Sequence, residues 1–324
     1  MGIRRAAEFV TLAGAALMAS AGTAMAAAAE TAAPVVEAAT GYVPMKPTEG
    51  KGMPTPGAIG FQDQYSPIGD YGEWMHNAVL MPIITIISLL VLFLLIWVVA
   101  RYRAKANPNP SRTSHNTLIE VIWTLLPVLV LLAIAVPSMR LLANQYETAP
   151  EGALTVKVTG YQWYWGYTYP DYGGFEVISN MMPEDEAIAN GEPAQLAVDK
   201  RMVVPAGVPI RIQTIGADVI HSFAVPSLWF KLDAVPGRLN EKVMFIKEPG
   251  VYYGQCMELC GARHGYMPIA VEALPKDEFE QWVLEQPGGT LGEEAEAAPA
   301  AEDAAVEGAE EAPEGEGEAA PAAA

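Results

Sequence analysis

CMELCGARHGYM, residues 256–267, decides how this chain is read, together with His221 upstream. Cys256 and Cys260 offer two thiolates, His221 and His264 two imidazoles, Met267 a thioether and Glu258 an oxygen. This soft-plus-borderline set suits copper better than magnesium, calcium or haem iron. A mononuclear blue-copper site needs one Cys, two His and a weak axial Met, so a second Cys is one sulfur too many for it. Two thiolates can instead bridge two copper ions and share one electron between them, which lowers the reorganisation on electron transfer. The Cys pair alone would more often read as a disulfide in an oxidising compartment. That reading weakens once His221, His264 and Met267 stand at these spacings, because two of the chain's four His sit in the constellation.

Around the motif the chain reads as short strands separated by Pro and Gly turns. LTVKVTGYQW (154–163), VPIRIQTI (208–215), EKVMFI (241–246), GVYYGQ (250–255) and PIAVEAL (268–274) point to a β-barrel or sandwich. Residues 275–285 (PKDEFEQWVLE) read as a short closing helix with Phe279 and Trp282 packed down. The alternating aromatics Tyr161, Trp163, Tyr164, Trp165, Tyr167 and Tyr169 read mainly as strand core.

Upstream the pattern changes to long apolar runs. Residues 79–100 (VLMPIITIISLLVLFLLIWVVA) and 118–141 (LIEVIWTLLPVLVLLAIAVPSMRL) are each long enough to cross a membrane, since about 20 apolar residues span roughly 30 Å of hydrocarbon. They form a transmembrane hairpin within 71–145. Its connection, 101–117, carries Arg101, Arg103, Lys105 and Arg112 and no acid, so the positive-inside rule puts it in the cytoplasm. Glu120 lies a turn into the second span, where an ionisable group is costly and marks a candidate proton path. The plainer alternative is a carboxylate that reaches water or caps the helix start.

The chain begins with Arg4 and Arg5, an apolar stretch at 9–21 and the small-residue site Ala24-Met25-Ala26, which together read as a cleaved export signal over 1–26. The mature chain would start near Ala27, outside the cytoplasm. One hairpin then returns the chain there, so the metal-ligand domain, 150–286, is expected in the periplasm of a bacterium, anchored to its inner membrane. Residues 27–70, rich in Ala, Pro, Gly and Thr, read as a mobile exposed lead-in. Residues 287–324 read as a disordered acidic tail. The stretch 291–324 holds 11 acids and no Lys or Arg, so it supplies most of the net charge of −19. That charge is therefore weak evidence for a basic partner.

The spacing H221-x34-C-x-E-x-C-x3-H-x2-M267 resembles the copper A motif of subunit II of haem-copper cytochrome c oxidases. YQWYW (161–165), DVIHSFAVPSL (218–228), KLDAVPGRLN (231–240) and YYGQCMELCGARHGYMPI (252–269) extend the resemblance over roughly 70–285. It implies a cupredoxin-like Greek-key barrel behind the hairpin, with a ligand loop meeting His221 from a neighbouring loop. It implies that His221, Cys256, Glu258, Cys260, His264 and Met267 hold two copper ions, Glu258 through its backbone carbonyl. It further implies that the Glu258 carboxylate reaches a magnesium or manganese ion shared with subunit I, and that Trp163 is where the electron from cytochrome c enters. Glu120 would sit at the mouth of a proton-uptake channel belonging mostly to subunit I. Asp199 and Asp218 match acidic docking positions of the family, and Asp171 is a plausible third. The family carries an acid at the place of Thr168 in some members, so the patch is arranged differently here.

The chain has no C-x-x-C-H for attached haem c, no Gly-rich phosphate loop and no nucleophile elbow. Four His cannot also hold two haems and a further copper, so the oxygen-reducing centre and its haems are expected in subunit I. Expected partners are cytochrome c, subunits I and III and the membrane, with no nucleic acid. Three alternatives stay open. A quinol oxidase subunit II would lack the ligands, a copper-storage protein would not explain Glu120 or Trp163, and a membrane-anchored copper A subunit of a nitrogen-oxide reductase is the nearest competitor.

Overall fold

The computed structural model describes residues 42–291. The signal at 1–26, the lead-in up to residue 41 and the acidic stretch 292–324 lie outside the described residues.

Ser66 starts the first helix. Its hydroxyl accepts the N–H of Gly69 at 3.0 Å, and Pro67 follows in the first turn, where a missing N–H costs nothing. Helix α1, Pro67–Trp74, continues through a π-helical stretch, Met75–Leu80, into α2, Met81–Arg101. The helical run thus begins at Pro67 rather than at 79, because the Ser-Pro start signal lies well before the apolar run. Helix α3, Thr117–Gln145, opens on Asn116, whose side chain accepts the N–H of Ile119 at 3.2 Å. Neither α2 nor α3 has a buried residue; their Leu, Ile, Val and Phe side chains point outward. Such faces suit a lipid solvent, in which only helices and closed barrels satisfy every backbone group.

The rest of the chain forms two five-stranded sheets. In strand order, β1 is Leu154–Tyr161, β2 Tyr164–Thr168, β3 Glu176–Ser179, β4 Met202–Pro205 and β5 Pro209–Gly216. Then come β6 His221–Val225, β7 Phe230–Ala234, β8 Asn240–Phe245, β9 Gly250–Cys256 and β10 Pro268–Leu274. One sheet runs β3-β2-β1-β5-β8 and the other β4-β10-β9-β6-β7. In β1 and β5 the period-2 pattern sends Val156, Val158, Ile210 and Ile212 into the core while Lys157, Thr159, Arg211 and Gln213 face outward. Strand β10 is buried throughout, and its one charge, Glu272, is satisfied by Arg201 at 2.8 Å and by the N–H of Met45 at 2.6 Å. A short helix, α4 Glu184–Ala189, precedes β4, and α5, Lys276–Glu285, closes the domain with Phe279, Trp282 and Val283 buried.

Residues 44–66 were expected as part of a mobile exposed lead-in, and they run instead along the β domain. Met45 and Met53 pack against Val251, Tyr253 and Ala270. Gly52 gives its carbonyl to Tyr253 at 2.7 Å, and Lys51 pairs with Glu248 at 2.9 Å. The backbone of Tyr65 bonds to Ser227 and Lys247, both at 2.9 Å. Few large apolar groups are needed when the backbone itself is the partner, which is why composition misjudged this stretch.

Candidate metal centre

The β9–β6 ladder sets the site. Cys256 ends β9 opposite Phe223 of β6, and the next N–H, of Met257, reaches the carbonyl of Ser222 at 3.0 Å. His221 and Phe223 lie two residues apart on one strand, so their side chains share a face, and both are fully buried. His221 thereby sits over the end of β9. The expectation put it on a loop, whereas it is the first residue of β6, paired with Ala234 of β7. Space for its ring comes from Gly160 on β1: a Cβ there would lie 2.8 Å from the imidazole.

The chain then leaves β9, and the turns through Cys260 and the 3-10 turn His264–Tyr266 fold back towards β10. The sulfurs of Cys256 and Cys260 stand 3.9 Å apart. Cys260 Sγ is 3.4 Å from Met267 Sδ and 3.6 Å from His264 Nδ1, and Cys256 Sγ is 3.3 Å from the Glu258 carbonyl. Ligand atoms of His221, Cys256 and Cys260 all lie within 4.8 Å of one another. Five side chains and one carbonyl thus converge. The carboxylate of Glu258 takes no part in these contacts, and Glu258 is exposed.

Around these donors a further set of groups holds them in place. Asp218 accepts His221 Nε2 at 2.8 Å, the N–H of Val219 at 2.6 Å and that of Gln162 at 2.7 Å. The Cys260 carbonyl accepts the side-chain amide of Gln162 at 2.8 Å and the Trp163 indole N–H at 3.3 Å. Trp165, fully buried, donates to the Met267 carbonyl at 3.2 Å and sets its ring edge-on to His221, 5.9 Å between centroids. Sequence reasoning missed Gln162 and Trp165. It named Asp218 only as a docking acid, although the D-x-x-H spacing was the available signal.

Electrostatics prepares one sulfur more than the other. Burial opposes ionisation of Cys256, yet the pull of His221, of the backbone at Glu258 and Ser222, and of His264 outweighs it and brings the thiol down to about 7. Burial, then the charge and hydrogen bond of Cys256, push Cys260 up to about 12. His221 is held above its ordinary value: burial works downward, and Cys256 and Asp218 overcome it. Asp218 lies below its ordinary value because His221 and two backbone N–H groups outweigh its partial burial.

The residues fit a metal. His221 Nδ1 is buried without a partner at hydrogen-bonding geometry while Nε2 is fixed by Asp218. An orphaned ring nitrogen beside two thiols, its other nitrogen held by a carboxylate, is what a ligating imidazole needs. Thiolate, thioether and imidazole donors favour copper.

The family model for cytochrome c oxidase subunit II, periplasmic domain, matches residues 154–274, and that for its transmembrane domain matches 54–141. The chain belongs to the cytochrome c oxidase subunit II family. A probable cytochrome c oxidase subunit 2 of Rickettsia bellii (strain RML369-C) is 48% identical over 230 residues, covering 71% of this chain and 84% of the relative. The mitochondrial cytochrome c oxidase subunit 2 of Vigna unguiculata is 42% identical over 242 residues, covering 72% of this chain and 63% of the relative. The crystal structure of the periplasmic domain of subunit II of cytochrome oxidase of Bradyrhizobium japonicum is 45% identical, covering 47% of this chain and 96% of that one, with a TM-score of 0.39.

As a cytochrome c oxidase subunit II, this chain is a component of an oxidoreductase, the haem-copper oxidase complex, alongside subunit I. It is membrane-anchored by two apolar helices and carries a cupredoxin-like β domain. A nitrogen-oxide reductase subunit is not favoured, because the relatives above are cytochrome c oxidase subunits.

The remaining expected residues are spread over the molecule. Asp171 accepts the N–H of Thr155 at 2.6 Å, and Asp199 that of Asn180 at 2.7 Å. Neither has a contact with the metal donors among those described. Glu120 lies in the first turn of α3, where its carboxylate accepts the N–H of Asn116 at 3.3 Å. That is the helix-capping arrangement considered as the plainer alternative.

Proposed function

We propose that this subunit accepts electrons from cytochrome c at a binuclear copper A centre and passes them to the haem of subunit I, for reduction of oxygen to water coupled to proton translocation. Cys256, Cys260, His221, His264, Met267 and the Glu258 carbonyl would hold two copper ions. Bound there, the copper pair supplies a one-electron carrier with little reorganisation. The observation that carries the reading is the convergence of six donors, one of them an orphaned buried nitrogen.

The chain's own residues have separable tasks. Trp163 is half-buried, and its indole N–H touches the carbonyl of Cys260; a π-system at the surface, bonded to a ligand residue, suits the point where the electron enters. Asp218 fixes the His221 tautomer by taking Nε2–H and leaving Nδ1 for the metal. Asp171, Asp199 and Asp218 are exposed carboxylates held by backbone N–H groups, and such acids steer a basic protein by raising its on-rate. The exposed Glu258 carboxylate is free to reach a magnesium or manganese ion, whose remaining hard oxygen ligands would come from subunit I. Glu120, near the start of α3, would contribute to proton uptake. In this arrangement the β domain lies in the periplasm and the basic connection 101–117 in the cytoplasm, and subunit III completes the complex.

Metal analysis with electron paramagnetic resonance of the assembled complex tests the centre: two coppers in this chain and a seven-line signal are expected, and one copper per chain refutes it. Trp163→Ala tests the port. Electron transfer from cytochrome c should slow far more than docking weakens, and equal losses in both would remove the role.

A further inference from the structure

A cleft joins the helical hairpin to the underside of the β domain, enclosing a cavity of about 340 Å³. One wall is the first turn of α1 with Asn144 and Gln145 at the end of α3; the other is Trp229, Phe230 and Lys242 of the β domain. Gly72 of α1 lets the helix seat on the Trp229 indole, since a Cβ there would lie 2.5 Å from the ring.

Lys242 is the unusual member. It is half-buried, and burial, then the charge of Lys231, hold its pKa below the ordinary value. Among the described residues no carboxylate pairs with it, and its one specific contact is the face of Phe230 at 5.5 Å. Lys231 is matched by Asp233 at 2.6 Å. A half-buried ammonium without a counter-ion is costly, and here it opens onto a cavity. Asn144, Gln145 and Glu147 line the same cleft, so an anion bound there would be held on the Lys242 side, away from the Glu147 carboxylate.

Position identifies the kind of anion. The apolar run of α3 ends just before Asn144, so the cleft stands at headgroup depth of the membrane that the hairpin crosses. Below it, the flanks of α2 and α3 are apolar and exposed, and Trp229 occupies the level at which aromatic side chains favour the interface. We propose that the cleft binds the phosphate headgroup of an anionic phospholipid, Lys242 pairing with the phosphate and the acyl chains lying along the helices. The lipid would then wedge the hairpin against the β domain. This rests on membrane anchoring and not on the copper assignment.

The test uses the assembled complex, stripped of lipid in detergent and titrated with phosphatidylglycerol or phosphatidylcholine, bound lipids being counted by native mass spectrometry. Wild type should retain one phosphatidylglycerol at concentrations where phosphatidylcholine is lost. Lys242→Gln should bind it about tenfold more weakly, the loss expected for one charge-assisted contact, and Lys242→Arg should retain it. Equal retention of the two lipids by wild type, or unchanged phosphatidylglycerol binding in Lys242→Gln, overturns the proposal. Displacement of phosphatidylglycerol by inorganic phosphate alone would overturn the lipid as its source. Should Lys242→Gln fail to assemble, the wild-type comparison of the two lipids and the Lys242→Arg variant still decide.

Discussion

Replacing Asp218 with Ala removes one carboxylate that holds three donors: His221 Nε2 at 2.8 Å, Val219 N–H at 2.6 Å and Gln162 N–H at 2.7 Å. The donors do not lose equally. Gln162 is exposed and Val219 partly so, and water replaces the lost acceptor there, whereas His221 is fully buried. An unsatisfied buried donor costs about 1–3 kcal/mol, and loss of the partner that orients a metal-bound imidazole typically lowers metal affinity by about 10–100-fold. Asp218→Ala should therefore weaken copper binding by one to two orders of magnitude, as about 1.4 kcal/mol corresponds to tenfold. Asp218→Asn keeps an acceptor oxygen but gives up the charge, and charge-assisted bonds are roughly twice as strong as neutral ones, so its loss should be about half as large in free energy. Chelator competition against the assembled, copper-depleted complex measures both. If Asp218→Ala binds copper within about twofold of wild type, the imidazole is held by packing alone, and the reasoning fails.

Arg201→Met should destabilise the β domain by about 3–5 kcal/mol, because Glu192 and Glu272 lose a cation within 2.9 Å while nearly buried; urea unfolding followed by tryptophan fluorescence reads this, and an unchanged midpoint would contradict it. Gly160→Ala places a methyl 2.8 Å from the His221 ring and should lower copper content with the fold retained; full copper loading would show that β1 can give way. In the metal-free protein, Cys256 should alkylate faster as pH rises, levelling off above about 7, while Cys260 stays protonated until about 12. The sign follows from the thiolate being the nucleophile, and matched pH profiles for the two sulfurs would refute the asymmetry.

Strands β1 and β5 were legible because one face is buried and a period of two is visible, whereas β8, β9 and β10 were legible as short apolar runs bounded by Pro and Gly turns. Strands β3, β4 and β7 were not, being short and given their place by neighbours rather than by pattern. The helix from Pro67 was underestimated for a related reason: its first turns are not apolar enough to register in a search for membrane spans, and only the Ser66 cap marks them. The strap at 44–66 was lost because its partners lie far away in the chain, as with Gly52 and Tyr253 or Met45 and Glu272, and local composition carries no trace of such pairing.

By itself the sequence determined which chemistry the protein can do. Two Cys, two His and a Met at fixed spacing constrain the metal whatever the fold, because donor softness belongs to the atoms. Two long apolar runs, 79–100 and 118–141, likewise fix an anchor through solvation alone. Tertiary structure decided how the donors are held: which nitrogen of His221 is left free, that Asp218 takes the other, that Gly160 makes room for the ring, and that Trp163 and Gln162 bond to the Cys260 carbonyl. It also decided which thiol ionises first. These depend on distances of a few ångströms between segments remote in sequence, and burial and directed hydrogen bonds exist only once the two sheets have closed on each other.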